Sequence, residues 1–385
     1  MLGTARHRLK LLSNMPETDP IPEPFRLDTY AFDLPEALIA QEPPAVRGSS
    51  RLLQVDRRSG HLREGHVTDL PGLLRPGDVL VLNDTKVVKA RVFGTRPDTT
   101  GRVEFLFLDI DDGAARALVK TRGKIGEGIT ADLDVASPGA LRVNVGPLEP
   151  GGTHRVETGL PAAEFIAALE RVGRMPLPPY IRREREGDPR DAMDAARYQT
   201  VFAKEPGAAA APTAGLQLTE AILDGLKSRG VVLASVTLHV GLGTFRPVET
   251  EDIRLHRMHE ERWVVPPETA AAIDAARARG GRVIALGTTA LRALAAAESD
   301  GRVRAGAGST RVFLHPPATI RAADGLFTNF HVPKSTLFML VCAFAGIGTM
   351  KRAYAHAIAR RWRMLSYGDA MLILSDTDGR RPQHD

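Results

Sequence analysis

Apolar positions divide the chain into two kinds of pattern. Between residues 77 and 146 they come in short runs, at 79–82, 87–93, 103–108, 117–120 and 141–145, each bounded by Gly, Asp or Pro turns. Short strands at this spacing predict a small β-barrel. Residues 162–172 place Phe165, Ile166 and Leu169 at helical spacing, and the charged, Gly- and Pro-punctuated stretch 182–196 reads as a solvated loop. After that, helix and strand alternate. Thr219 is placed to cap a helix ending at Gly230, and 231–240 follows as a strand. Pro267 opens a helix that stops at Gly280-Gly281 before a strand over 282–286, after which Thr288 or Thr289 caps an Ala-rich helix. Strands near 311–314 and 326–330, helices over 335–344 and 349–361, and a last strand over 370–374 complete the pattern. Such alternation predicts an α/β domain with a mixed, largely parallel sheet, whose ligand sits at the carboxyl ends of the strands. His239, Gly287-Thr288 and Asn329 all fall at such ends.

A chain of 385 residues is long enough for two domains with a substantial core. The 51 Lys and Arg against 46 Asp and Glu give a mildly basic balance, compatible with a nucleic-acid partner but equally with an Arg-rich genome. The single cysteine, Cys342, lies in an apolar run and has no internal disulfide partner, which fits a reducing cytoplasm and a buried packing role. That run is too short to span a bilayer, and no secretory signal precedes Pro16. Residues 1–24 read as a Pro-rich flexible tail, with Met15 an alternative start.

The chemistry concentrates in two words at element ends. These are Ala211-Pro212-Thr213-Ala214-Gly215-Leu216 and Thr237-Leu238-His239-Val240-Gly241-Leu242-Gly243-Thr244-Phe245-Arg246-Pro247. Small residues let backbone N–H groups approach a ligand, while Thr, His and Arg add donors and a titratable ring. Gly241-Leu242-Gly243 fails as a dinucleotide fingerprint because Arg246 stands at the third glycine position. Lys334-Ser335-Thr336 lacks the glycine-rich stretch of a P-loop but leaves Ser335 able to cap the next helix. His256 and His259 lack zincin spacing, so no metal is expected. Tyr180 and Tyr198 offer stacking faces for an extruded base, or simply core packing.

The words resemble one family: S-adenosylmethionine:tRNA ribosyltransferase-isomerase. The resemblance runs through Phe32-Asp33-Leu34-Pro35, Leu82-Asn83-Asp84-Thr85, Pro176-Leu177-Pro178-Pro179-Tyr180-Ile181, Arg197-Tyr198-Gln199-Thr200, Met258-His259-Glu260, Ala285-Leu286-Gly287-Thr288-Thr289, Thr328-Asn329-Phe330-His331-Val332-Pro333-Lys334-Ser335 and Ser366-Tyr367-Gly368-Asp369. It implies a main α/β domain over 25–75 and 175–378, an inserted β-barrel over 76–174 and a short tail from 379. It implies transfer and isomerisation of the ribosyl group of S-adenosylmethionine onto 7-aminomethyl-7-deazaguanine at the tRNA wobble position. Epoxyqueuosine forms and adenine and methionine leave. The partners implied are that tRNA and S-adenosylmethionine as co-substrate, with no permanently bound cofactor, no metal and no membrane, in a cytoplasmic monomer.

The co-substrate is expected against Pro212, Thr213, Ala214, Gly215, Gly241, Gly243, Thr244, Thr288, Thr289 and Asn329. Acid–base work falls first to His239, then to His331 and Glu260. Arg246, Arg292 and Lys334 are the candidates for tRNA phosphate or the methionine carboxylate, and Tyr180 and Tyr198 for the base. Gln217-Leu218 stands where the family pattern has His-Phe, Lys86 where it has Arg, and 313–317 departs from an aromatic-Pro-Gly word. An amide at 217 cannot titrate, so these departures leave open another acceptor or a noncatalytic tRNA-binding role.

Overall fold

The computed structural model describes residues 20–133, 141–149, 151–184, 187–241 and 247–375. A nine-stranded sheet crosses the main domain in the order Gly306–Thr310, Glu261–Val265, Val232–Leu238, Val79–Asn83, Val283–Leu286, Gly325–Asn329, Ala370–Leu374, Arg51–Asp56 and Leu62–His66. Its four central strands, from Val232–Leu238 to Gly325–Asn329, run parallel. Antiparallel pairs appear towards both edges.

The central strands Val79–Asn83, Val283–Leu286 and Gly325–Asn329 are buried at every residue. Unbroken apolar runs of this kind need cover on both faces, which parallel crossovers supply. One face packs under the helices Pro267–Ala278, Gly287–Ala296, Thr336–Ala345 and Ile347–Ala359, where Phe338, Phe344, Tyr354 and Trp362 fill the core. The other packs under Glu220–Ser228 and Leu70–Leu73. Asp78 fixes the start of two neighbouring strands together, accepting from the Arg282 backbone N–H at 2.9 Å and from its guanidinium at 2.6 Å. Thr219 and Ser335 cap their helices as the pattern predicts. No single helix among the described residues is long and apolar enough to cross a membrane.

Six antiparallel strands between Arg91 and Glu157 close into the barrel. Phe105 and Phe107 stack inside it with centroids 5.6 Å apart, and Phe165 of the helix Ala162–Val172 meets Phe107 edge-on. The run 79–82, expected among the barrel strands, lies instead at the centre of the large sheet. Its continuous apolar character suits a strand covered on both faces rather than an alternating barrel wall. Three smaller expectations also shift. The strand expected near 311–314 lies at Gly306–Thr310, where Trp263 rests on the bare backbone of Gly308. Neither Thr288 nor Thr289 caps a helix, because the helix starts straight from the strand at Gly287. The stretch 182–196, read as a loop, contains the helix Asp191–Arg197.

That last helix is held by a buried charge. Asp194 accepts from Arg183 Nε at 2.6 Å and Nη2 at 2.9 Å and from the Tyr367 hydroxyl at 2.9 Å, and both charged side chains are nearly inaccessible. Asp194→Ala should therefore lower stability by about 3–5 kcal/mol, because Arg183 is left charged and dry. The double replacement Arg183→Met with Asp194→Leu should cost clearly less than that single change. Urea melts of the three proteins would check this; equal losses would show the pair is solvated.

Candidate active site

Three of the four parallel strands deliver their carboxyl ends to one cavity of about 590 Å³. Val240 stands just beyond the first, Gly287, Thr288 and Thr289 follow the second, and Asn329, Phe330 and His331 follow the third. The loop Ala211–Ala214 lies across these ends, and Pro179, Tyr180, Ser366 and the turn from Val332 to Ser335 complete the wall. Both the volume and the mainly apolar lining suit a small-molecule ligand.

The polar groups in that wall are fixed by one another. The Thr213 hydroxyl donates to Asn329 Oδ1 at 2.9 Å, leaving the buried Asn329 Nδ2 without a hydrogen-bond partner. Thr289 Oγ1 is likewise buried and unpartnered. Buried orphans of this kind are uncommon in folded proteins, and two of them facing one cavity suit a bound ligand or water that makes the missing bonds. Tyr180 Oη lies 2.6 Å from Ser366 Oγ, and burial pushes the phenol up to about 12, so this pair stays neutral. Gly287 has φ +89°, a conformation that only glycine adopts cheaply, and this lets the helix begin directly at the cavity.

His331 also lines the cavity, with Nε2 3.0 Å from Thr328 Oγ1, while its backbone N–H donates to the Tyr354 hydroxyl at 2.8 Å. Burial alone pulls the imidazole down to about 3. It is neutral at physiological pH and a poor proton acceptor, so hydrogen bonding suits it better than the acid–base role expected of it.

His239 points the other way. Its Nδ1 lies 2.8 Å from Thr85 Oγ1, and its ring packs on the bare backbone of Gly207, where any Cβ would meet it at 3.0 Å. Burial first, and then the Arg262 guanidinium, lower its pKa. Thr85 Oγ1 is within 3.5 Å of the Glu205 carbonyl. When that hydroxyl donates to the carbonyl it accepts from Nδ1–H, and in this tautomer Nε2 is the basic nitrogen. Asp84 next door accepts from Thr237 at 2.7 Å, and burial raises its carboxyl. The barrel contributes Asp109, 3.8 Å from Arg262. His239 thus sits between the cavity wall, through Val240, and a polar junction with the barrel.

Several expected residues are not brought into the cavity. Glu260 is exposed and tied to Ser309 at 2.5 Å and Arg311 at 3.1 Å, and these two partners hold its carboxyl below the usual range. Arg292 is buried against Glu261 and does not reach the surface, so a tRNA phosphate cannot meet it. Tyr198 is completely buried against Tyr367 and cannot stack on a nucleobase. Lys334 lines the cavity but is ion-paired with Asp28 at 2.5 Å. Pro212, Thr213, Ala214, Thr288, Thr289, Asn329 and Tyr180 do line it; Gly215 and Gly241 do not. Gly243, Thr244 and Arg246 lie outside the described residues.

Gln217, the main departure, donates to the Gly368 carbonyl at 2.6 Å as a buried tie outside the cavity. Phe313 packs between His256 and His315, also outside it. Among the described residues no group of three or more His, Cys, Asp or Glu gathers as a metal site. Sequence reasoning missed Thr328 and Ser366 as wall residues, although both stand inside the family words.

Known proteins resemble this chain over most of its length. A family model described as "Queuosine biosynthesis protein" matches residues 27–373. The S-adenosylmethionine:tRNA ribosyltransferase-isomerase of Anaeromyxobacter sp. (strain Fw109-5) is 49% identical over 348 residues, covering 90% of this chain and 99% of its own. The protein of the same name from Acidithiobacillus ferrooxidans is 50% identical over 356 residues, with coverage of 91% and 99%. Among solved structures, the S-adenosylmethionine tRNA ribosyltransferase of Thermotoga maritima matches at 30% identity and a TM-score of 0.51, over 90% of this chain and 100% of that one.

The buried His331 makes stability depend on pH. Its folded pKa of about 3 lies below the ordinary 6.5, so the unfolded chain binds the extra proton. This contribution is complete above 6.5 and is lost as pH falls towards 3, at about 1.4 kcal/mol per unit. In His331→Gln the fall between about pH 6.5 and about pH 4.5 should be shallower than in the wild type by that slope. Parallel slopes in urea melts would mean that the ring is already protonated in the folded protein.

Proposed function

The chain belongs to the queuosine biosynthesis protein family, and from that premise we propose how its residues divide the work of an S-adenosylmethionine:tRNA ribosyltransferase-isomerase. The enzyme moves the ribosyl group of S-adenosylmethionine onto 7-aminomethyl-7-deazaguanine at the tRNA wobble position, isomerising it to the epoxycyclopentane of epoxyqueuosine and releasing adenine and methionine. S-adenosylmethionine occupies the cavity at the strand ends. The observation that carries this is the pair of buried, unpartnered polar atoms, Asn329 Nδ2 and Thr289 Oγ1, in a mainly apolar wall.

The sulfonium acidifies the neighbouring 5′ carbon of the ribose, so a neutral base placed there can take that proton. Adenine leaves more readily when its developing charge meets fixed donors in a dry site. The attacking aminomethyl group must be uncharged, and a base beside it secures that. The geometry favours His239 for proton transfer. It is half-buried, its pKa is lowered, its Nδ1 is held by Thr85, and its chain neighbour Val240 lines the cavity. The wobble base, splayed out of its single-stranded loop, approaches from that junction. Lys86 and Lys204 lie beside it, Lys86 exposed and Lys204 bonded through its backbone to Asp84. His331 and Tyr180 stay neutral and orient the co-substrate.

Two experiments test this reading. With S-adenosylmethionine labelled separately in ribose and methyl, ribose label should enter tRNA carrying 7-aminomethyl-7-deazaguanine and free adenine should appear. Methyl label in the tRNA would refute the reaction. His239→Gln should lower turnover by ~10²–10⁴ with S-adenosylmethionine affinity kept. Turnover within a few-fold of wild type would remove His239 from proton transfer and leave it a packing residue.

A further inference from the structure

We infer that the carboxylate of the methionine moiety binds at the uncapped start of the helix Gly287–Ala296, held by Thr289 Oγ1 and Asn329 Nδ2. This rests on S-adenosylmethionine being the ligand of the cavity, and adds which end of it sits where. The helix is ten residues long and starts at the cavity wall with no side-chain cap. The first N–H groups of such a helix have no intrahelical partner, and their dipoles favour a negative charge. A second, independent observation points the same way. Thr289 is 7% exposed and Asn329 2% exposed, both face the cavity, and each carries a polar atom without a partner. The Thr213 hydroxyl occupies the acceptor end of the Asn329 amide, so the free end is a donor.

The missing ligand group is therefore an acceptor, and a negatively charged one. Of the charges on S-adenosylmethionine the sulfonium and ammonium are positive, and only the carboxylate is negative. A tRNA phosphate is excluded by depth, because groups this buried do not reach a backbone running over the surface. Lys334, the one cation in the wall among the described residues, already holds Asp28. Neutral donors and a helix end are left to neutralise the carboxylate.

The test compares S-adenosylmethionine with its decarboxylated analogue, which keeps the sulfonium, ribose and adenine. Calorimetry should show wild type binding S-adenosylmethionine about 10- to 100-fold more tightly than the analogue, the span of one or two charge-assisted hydrogen bonds. Asn329→Asp still accepts from Thr213 but sets a carboxylate against the ligand's own. It should lose most of the affinity for S-adenosylmethionine and little or none for the analogue. Thr289→Val should lose roughly 10-fold for S-adenosylmethionine only, and Thr289→Ser should restore it. Equal affinity of wild type for both ligands, or equal losses in the variants, would overturn the assignment while leaving the cavity's ligand intact. Failure of wild type to bind either would overturn it together with the function on which it rests.

Discussion

The shared direction of the four central strands is the constraint on which the rest depends. Parallel neighbours cannot be joined by a tight turn, so each is followed by a helix or long loop, and all carboxyl ends face one side. Val79–Asn83 lies between Val232–Leu238 and Val283–Leu286, in register with both. Its burial on both faces fixes that position. From this follow the convergence of Val240, Gly287 and Asn329 on one wall and the start of a helix at the cavity without a capping side chain.

The barrel grows out of the same strand. Asp84 follows Asn83 directly, Thr85–Val87 pairs with Glu205–Ala208, and Arg91 begins the barrel wall. His239 is therefore held by both units, through Thr85 on one side and the strand Val232–Leu238 on the other. A mainly apolar cavity, lined by the neighbouring Val240, and a junction rich in charge lie on either side of this residue. That division suits a reaction in which a small sulfonium compound must be kept dry while a large polyanion presents a single base.

Much of this was legible in the sequence, for identifiable reasons. The helix starts at Thr219, Pro267 and Ser335 were readable because capping chemistry is local. The family words marked most of the cavity wall because they lie at strand ends. The assignment of 79–82 to the barrel failed because a short apolar run looks alike in either sheet, and only its partners distinguish them. Arg292, Tyr198 and Glu260, expected at the site, lie outside the cavity for a different reason. Each has the right chemistry near a family word, but a helix or strand turns its side chain elsewhere: Arg292 to Glu261, Tyr198 to Tyr367, Glu260 to Ser309. Gln217 looked like a lost titratable group and is instead a structural tie to Gly368.

The central claim is that the cavity at the strand ends, rather than the barrel or its junction, holds S-adenosylmethionine. Hydrogen–deuterium exchange with and without S-adenosylmethionine, in the absence of tRNA, tests it most directly. The account predicts slowed exchange in the segments 211–217, 286–291 and 328–337, with the barrel strands unchanged. Protection confined to 91–157, with the strand ends unaffected, would contradict it.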